Sequence, residues 1–332
     1  MQFLPIFAKK KSKMENTEAA KYIERIEIKG LWGRYDVDWQ LHSDVNILVG
    51  ENGTGKTTIL EAVKNLFEIL EKVSKDMKVS DYFNATLFNK VVVNFKNGIE
   101  THDFTQENEG TFRASIFYDS NSENGFSYIL GRNVIDTQLR NAASILLKKY
   151  NIYHIKTFDK AIKNGTDDYK TNLDAELNRL EKEYLAYKLK IFKAALKDNK
   201  VLRANAFFNE TINRLFKTTD KTLNEDDEKI SFLLEDGTPI NWLLLSSGEK
   251  QLLIILLTVL CQYEKPSILL MDEPEISLHL RWQYELINII RTLNPNCQVI
   301  IATHSPSLFN HGWRDKIFWI EDIAKKKEVV HG

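Results

Sequence analysis

Gly50-Glu51-Asn52-Gly53-Thr54-Gly55-Lys56-Thr57 has the composition of a phosphate cradle. Glycines let successive backbone N–H groups wrap an anion, and the N-terminus of a following helix favours the same charge. In a P-loop of this spacing Lys56 reaches the β- and γ-phosphates of a nucleotide, Thr57 places its hydroxyl on Mg2+, and Thr58 donates to the α-phosphate. The plainer alternative, a glycine-rich turn, is disfavoured by an apolar run before the loop and a helical pattern after it.

Two further groups carry chemistry. In Ile268-Leu269-Leu270-Met271-Asp272-Glu273-Pro274 an apolar strand ends in two adjacent acids. One carboxylate there can hold a divalent cation, and the next can orient and deprotonate a water. We assign the metal to Asp272 and the base to Glu273. Two acids closing a strand are ordinarily just a strand end; the P-loop in the same chain favours the functional reading. In Leu245-Ser246-Ser247-Gly248-Glu249-Lys250-Gln251 small residues precede an apolar helix, which makes a second anion site from N–H groups and a serine hydroxyl. The plainer reading is a capping box, with serine at the cap and Glu249 beside it.

These residues need elements to hold them. Ile23, Ile26 and Ile28 open a strand, Tyr35, Val37 and Trp39 alternate in a second, and residues 45–49 form a short buried strand of parallel-sheet type. Ile59, Leu60, Val63, Leu66, Phe67 and Leu70 then recur at helical spacing. Residues 86–118 read as β-rich, with Asn97-Gly98 as a tight turn, and 137–150 as a helix. Leu173, Leu177, Leu180, Tyr184, Tyr187 and Ile191 make a heptad seam, open to two readings: a short coiled coil or an amphipathic helix packed on its own domain. Residues 201–216 form a second helix able to fold back along it, and 217–229 a polar connector. After 229 the α/β pattern resumes, with a strand at Ile230, Phe232 and Leu234, an Asp236-Gly237 turn, helices at 248–261 and 278–292, and strands at 267–271, 298–302 and 316–320.

Composition narrows the classes. A chain of 332 residues with 43% hydrophobic content builds a full core without disulfides. Cys261 and Cys297 lie in apolar surroundings and read as reduced core thiols, which fits a cytoplasmic setting. A net charge of −1 announces no global field for nucleic acid, although a local basic face is compatible with it. No apolar run reaches membrane-spanning length. The apolar start is followed, not preceded, by Lys9, Lys10, Lys11 and Lys13, the wrong polarity for a secretory signal. Residues 1–20 read as a mobile leader.

Taken in order, the P-loop, Leu245-Ser246-Ser247-Gly248-Glu249, the acidic strand and Thr303-His304-Ser305-Pro306 resemble the ATP-binding-cassette ATPase head. The signature departs from the family's Leu-Ser-Gly-Gly-Gln at Ser247 and Glu249. Glu273-Pro274-Glu275-Ile276-Ser277-Leu278-His279 resembles the SMC, RecF and OLD-type branch. The resemblance covers about residues 22–322. It implies an α/β P-loop fold, a mixed sheet flanked by helices, with a β-rich lobe in 21–167, a helical insertion at 168–216 where SMC proteins carry a coiled coil, and a C-terminal part at 217–332. It further implies ATP and Mg2+ as cofactors, His304 as γ-phosphate sensor, and Gln106 or Gln138 as a further Mg2+ contact.

In this family two heads bind head to tail, so Ser246 and Gly248 of one copy cap the ATP held by Lys56 of the other. OLD-type nucleases add a nuclease domain, for which little chain follows His304. The expectation is a stand-alone ATPase acting on DNA or through a separate effector protein, in phage defence or DNA repair. The rival expectations are the energy subunit of a membrane transporter and a nucleotide-gated scaffold with little turnover.

Overall fold

The computed structural model describes residues 22–75, 90–95, 101–108, 111–117, 125–130, 151–155, 171–194, 199–262 and 265–327. The leader, the Asn97-Gly98 turn, the 137–150 helix and Gln138 lie outside the described residues. Gln106 lies on a described strand, but its side chain does not belong to the described set.

In chain order the first part runs β1 (Ile23–Leu31), β2 (Tyr35–Gln40), β3 (Val45–Val49), α1 (Lys56–Ser74), β4 (Lys90–Phe95), β5 (Thr101–Asn108), β6 (Thr111–Phe117), β7 (Gly125–Leu130) and β8 (Asn151–Ile155). Two helices follow, α2 (Asn172–Ala194) and α3 (Asn199–Phe216). The last part runs β9 (Lys221–Leu223), β10 (Ser231–Leu234), β11 (Pro239–Asn241), α4 (Ser247–Cys261), β12 (Ser267–Asp272), α5 (Leu280–Leu293), β13 (Cys297–Thr303), β14 (Ile317–Trp319), α6 (Ile320–Ile323) and β15 (Ala324–Lys326).

Two larger sheets hold the molecule together. A parallel one has the order β14-β3-β13-β12-β8, and an antiparallel one the order β15-β2-β1-β4-β5-β6-β7. The apolar runs of β3, β12 and β13 are continuous because both faces of the parallel sheet are covered. Their alternation sorts side chains between the two covers. Val45, Ile47, Leu269, Met271, Val299 and Ile301 pack toward the helices α2, α4 and α5. Leu48, Ile268, Leu270, Ile300 and Ala302 pack toward α1 and the antiparallel sheet. The C-terminal ends of three neighbouring parallel strands therefore deliver the P-loop, the acidic pair and the His304 loop to one edge.

The helical insertion takes the second of its two readings. Its heptad seam is buried, with Leu177 and Leu180 fully inside, in the same core as α4. α2 is thus an amphipathic helix laid on its own domain and not a projecting coiled coil. α3 returns beside it and also meets β9, α4 and α5. The polar stretch 217–229 departs from a plain connector as well. Lys221–Leu223 pairs with β10 and extends the β10–β11 hairpin to three strands. Burial pushes the Cys261 thiol up to about 12 and that of Cys297 to about 11, as inert core thiols require.

Candidate functional site

The P-loop spans the gap between β3 and α1, and the first helical hydrogen bond runs from Ile59 N–H to the Gly55 carbonyl at 2.9 Å. Gly55 sits at φ +105, with the Trp32 ring 2.9 Å from where a Cβ would stand. Only glycine fits both the left-handed backbone and the tryptophan packed behind it. Glu51, Asn52 and Gly53 are exposed at the loop's outer side, and Thr54 donates from Oγ1 to the Glu51 carbonyl at 2.8 Å. Thr57 is exposed and Thr58 half-buried in the first turn of α1.

Lys56 is buried, and its ammonium donates to the carbonyls of Gly50 at 3.0 Å and Glu51 at 2.9 Å. His304 Nε2 lies 2.8 Å from the same nitrogen and 3.0 Å from Glu273 Oε1. Burial pulls the Lys56 pKa below its ordinary value, against the opposing charges of Glu273, Asp272 and Glu275. Thr57 Oγ1 donates to Asp272 Oδ1 at 3.1 Å. Burial raises the Asp272 pKa, and the neighbouring charges of Glu273 and Glu61 push the same way, while Thr57 and Lys56 oppose them.

Glu273 holds a left-handed backbone at φ +46, a strained conformation for a non-glycine residue. Its N–H donates to the Ala302 carbonyl at 2.7 Å, so the parallel pairing with β13 continues past the strand end and fixes the turn. That turn points its carboxylate at His304 and leaves Asp272 with Thr57.

A hydroxyl and a carboxylate in contact, one at the P-loop and one at a strand end, fit Mg2+, which takes few protein oxygens and completes its shell with phosphates and water. No cluster of three or more His, Cys, Asp or Glu side chains suited to a metal occurs among the described residues. A cation at this place would offset both the burial and the neighbouring carboxylates that raise the Asp272 pKa.

Ser246 and Gly248 stand apart from this set. Among the described residues no hydrogen bond or ion pair joins them to the P-loop. Ser246 caps α4 in the capping box that the plainer reading anticipates: its Oγ accepts from Glu249 N–H, and Glu249 accepts from the Ser246 N–H at 2.8 Å. Glu249 is buried and paired with Lys221 at 2.9 Å. Burial drives its pKa up, but the bonds from Thr219, Lys221 and Ser246 outweigh burial and leave it below the ordinary value. A Cβ on Gly248 would stand 2.3 Å from the Ser277 carbonyl oxygen, so glycine is demanded here by close packing against the segment that follows the acids. Ser246 and Ser247 remain exposed at the start of α4.

Two neighbours of the site stand outside the sequence motifs. Glu275, two residues past the base, accepts from the Thr303 hydroxyl and from the N–H groups of His304 at 3.0 Å and Ser305 at 3.2 Å. Gln283 on α5 bonds Ser305 at 2.8 Å and the Leu278 carbonyl at 2.9 Å. Only the Glu-Pro-Glu spacing hinted at the first, and nothing local marked the second.

Comparison with known proteins gives the family and the fold likeness. Residues 45–310 match the family described as "AAA domain, putative AbiEii toxin, Type IV TA system". The chain is 24% identical over 315 residues to the Septu protein PtuA of Bacillus thuringiensis, covering 86% of this chain and 72% of that one. It is 23% identical over 381 residues to the "Retron Ec83 probable ATPase" of Escherichia coli, covering 89% and 70%. In fold it is similar to an SMC head solved with the C-winged helix domain of ScpA, at a TM-score of 0.50 and 17% identity over 92% of this chain and 97% of that one. No helix among the described residues is long and apolar enough to cross a membrane. With the P-loop, the acidic strand end and the histidine loop on one sheet edge, the chain belongs to the AAA_21 family and is a P-loop ATPase with an SMC-head-like α/β fold.

Proposed function

We propose that the chain is a switch ATPase whose active site is completed by a second copy, and that its cycle controls a separate effector protein or a DNA transaction in the cytoplasm. The likeness to a Septu protein and a retron ATPase favours phage defence over DNA repair as the setting. One observation carries the pairing: among the described residues Ser246 and Gly248 have no bond to the P-loop of their own chain, yet Ser246 and Ser247 are exposed at the N-terminus of α4. A helix start of this kind is suited to an anion presented from outside.

In the proposed cycle the P-loop N–H groups and Lys56 hold the β- and γ-phosphates, and Thr58 takes the α-phosphate. Thr57 and Asp272 would hold Mg2+, which would supply charge neutralisation on the phosphates and leaving group. Glu273 orients the attacking water and accepts its proton. His304 turns Nε2 toward the γ-phosphate. Ser246 and Gly248 of the partner copy close the far side, so ATP joins the copies and hydrolysis separates them.

Glu273→Gln tests the whole scheme. It keeps the side-chain volume and removes the base. We expect ATP to bind, hydrolysis to fall by about 10²- to 10⁴-fold, and light scattering to show a persistent ATP-dependent dimer. A variant that turns over ATP at the wild-type rate, or that stays monomeric with bound ATP, overturns the scheme.

A further inference from the structure

We infer that Glu275, steadied by Gln283, is a positioning residue for His304, and that it sets the hydrolytic rate through the histidine and not through ATP binding. The inference rests on the role given to His304 above.

His304 follows directly on the last residue of β13, where the ladder with β3 ends at Thr303–Val49. Beyond that point the backbone N–H groups have lost their strand partners and need another acceptor. A single oxygen, Glu275 Oε1, accepts from two consecutive residues, His304 N–H at 3.0 Å and Ser305 N–H at 3.2 Å, the latter shared with Thr303 Oγ1 at 2.9 Å. The same oxygen takes the Thr303 hydroxyl, and Thr303 is fully buried. Three consecutive residues of the histidine loop are thus anchored on one carboxylate oxygen. Bonds to an ionised acceptor are roughly twice as strong as neutral ones.

Gln283 reinforces this from a different element. Its amide nitrogen donates to the carbonyls of Leu278 at 2.9 Å and Glu275 at 3.3 Å, and its oxygen accepts from Ser305 Oγ at 2.8 Å. The side chain is nearly buried on α5, so it links a rigid helix to both loops at once. The segment after the acids and the segment carrying His304 are therefore stapled at two places.

Geometry explains why this bears on rate. Among the described residues, the His304 imidazole takes no hydrogen bond from its own loop. Its Nε2 faces Lys56 at 2.8 Å and Glu273 at 3.0 Å, and its direction follows from the backbone that Glu275 holds. A group acting on a transferring phosphoryl loses most of its effect when displaced by about 1 Å. Among the described residues no hydrogen bond joins Glu275 to the phosphate cradle, and its charge acts on Lys56 behind those of Glu273 and Asp272, so nucleotide affinity stays chiefly with the P-loop.

The experiment is a steady-state double-mutant cycle in the full chain, with Glu275→Ala, Glu275→Gln, His304→Ala and the double variant Glu275→Ala/His304→Ala. ATP affinity is read by titration and the 304–305 backbone amides by hydrogen exchange. We expect Glu275→Ala to lower kcat about ten- to a hundredfold, with ATP affinity within about twofold and the two amides deprotected. Glu275→Gln, which keeps an acceptor oxygen in place, recovers most of kcat and serves as the informative variant if the alanine form does not fold. The double variant should be no slower than His304→Ala. If the two losses multiply, Glu275 acts on its own and the positioning role falls while the reading of His304 stands. If His304→Ala hydrolyses ATP at the wild-type rate, the reading of His304 falls and the inference with it.

Discussion

His304 Nε2 lies 2.8 Å from Lys56 Nζ, although 248 positions separate the two residues in the chain. The same ring nitrogen stands 3.0 Å from Glu273 Oε1. A ring nitrogen carries either a proton or a lone pair, so Nε2 cannot accept from the lysine and donate to the carboxylate together. A phosphate oxygen entering between Lys56 and His304 removes that competition, because it accepts from both.

Lys56→Ala removes the ammonium while leaving the loop's N–H groups. Charge-assisted bonds contribute about 1.5–3 kcal/mol each, so ATP affinity should fall on the order of ten- to a hundredfold. Titration with a fluorescent ATP analogue measures it, and an unchanged affinity removes Lys56 from the phosphate site.

Asp272→Asn should make the Mg2+-free and nucleotide-free chain more stable at neutral pH. Burial and its acidic neighbours raise the folded pKa of Asp272 above the ordinary 3.8. Its contribution to stability is complete below the unfolded pKa and is lost as pH rises through the folded value. The melting temperature of the asparagine form should therefore exceed that of wild type near pH 7, and the gap should close on acidification toward 3.8. A gap that does not change with pH counts against the crowded carboxylate.

Glu249→Gln restores the residue that ATP-binding-cassette signatures carry, and it should still destabilise this chain. It leaves Lys221 without its anion at a site where only 2% of the glutamate side chain is exposed. We expect a loss of about 1–3 kcal/mol by urea unfolding at neutral pH. The folded pKa of Glu249 is depressed, so its contribution is present above the unfolded value and lost as pH falls through the folded one. The difference from wild type should shrink in acid. Equal stability at pH 7 would show that the buried pair contributes nothing.

Leu180→Ala should cost about 2–5 kcal/mol, as deletion of a buried leucine does. Leu189, on the same helix but 59% exposed, should tolerate alanine with little change. Both effects should be independent of protein concentration, because α2 packs on α4 of its own chain. A concentration-dependent loss at Leu180 would restore the coiled-coil reading of the seam.

Short-range pattern made much of this protein legible. The glycine spacing of the P-loop, the apolar runs of β3, β12 and β13, and the acids closing β12 all follow from residues within a few positions of one another. Their boundaries agree with the structure to within about two residues, since strand and helix periods depend on local geometry. The seam on α2 was equally clear as a pattern but silent about its partner. A stripe of Leu and Tyr at heptad spacing looks the same whether it meets a second chain or its own α4.

By itself, then, the sequence determined a nucleotide-binding P-loop, its acidic partner strand and the parallel sheet that carries them, because each is written in contiguous residues. The tertiary structure alone decided what those parts touch. It turned the heptad seam inward and paired the buried Glu249 with Lys221. It also brought Glu275 and Gln283 to the backbone of the His304 loop. Each of these joins residues far apart in the chain, and a hydrogen bond or a packed face across such a distance leaves no local periodicity to read.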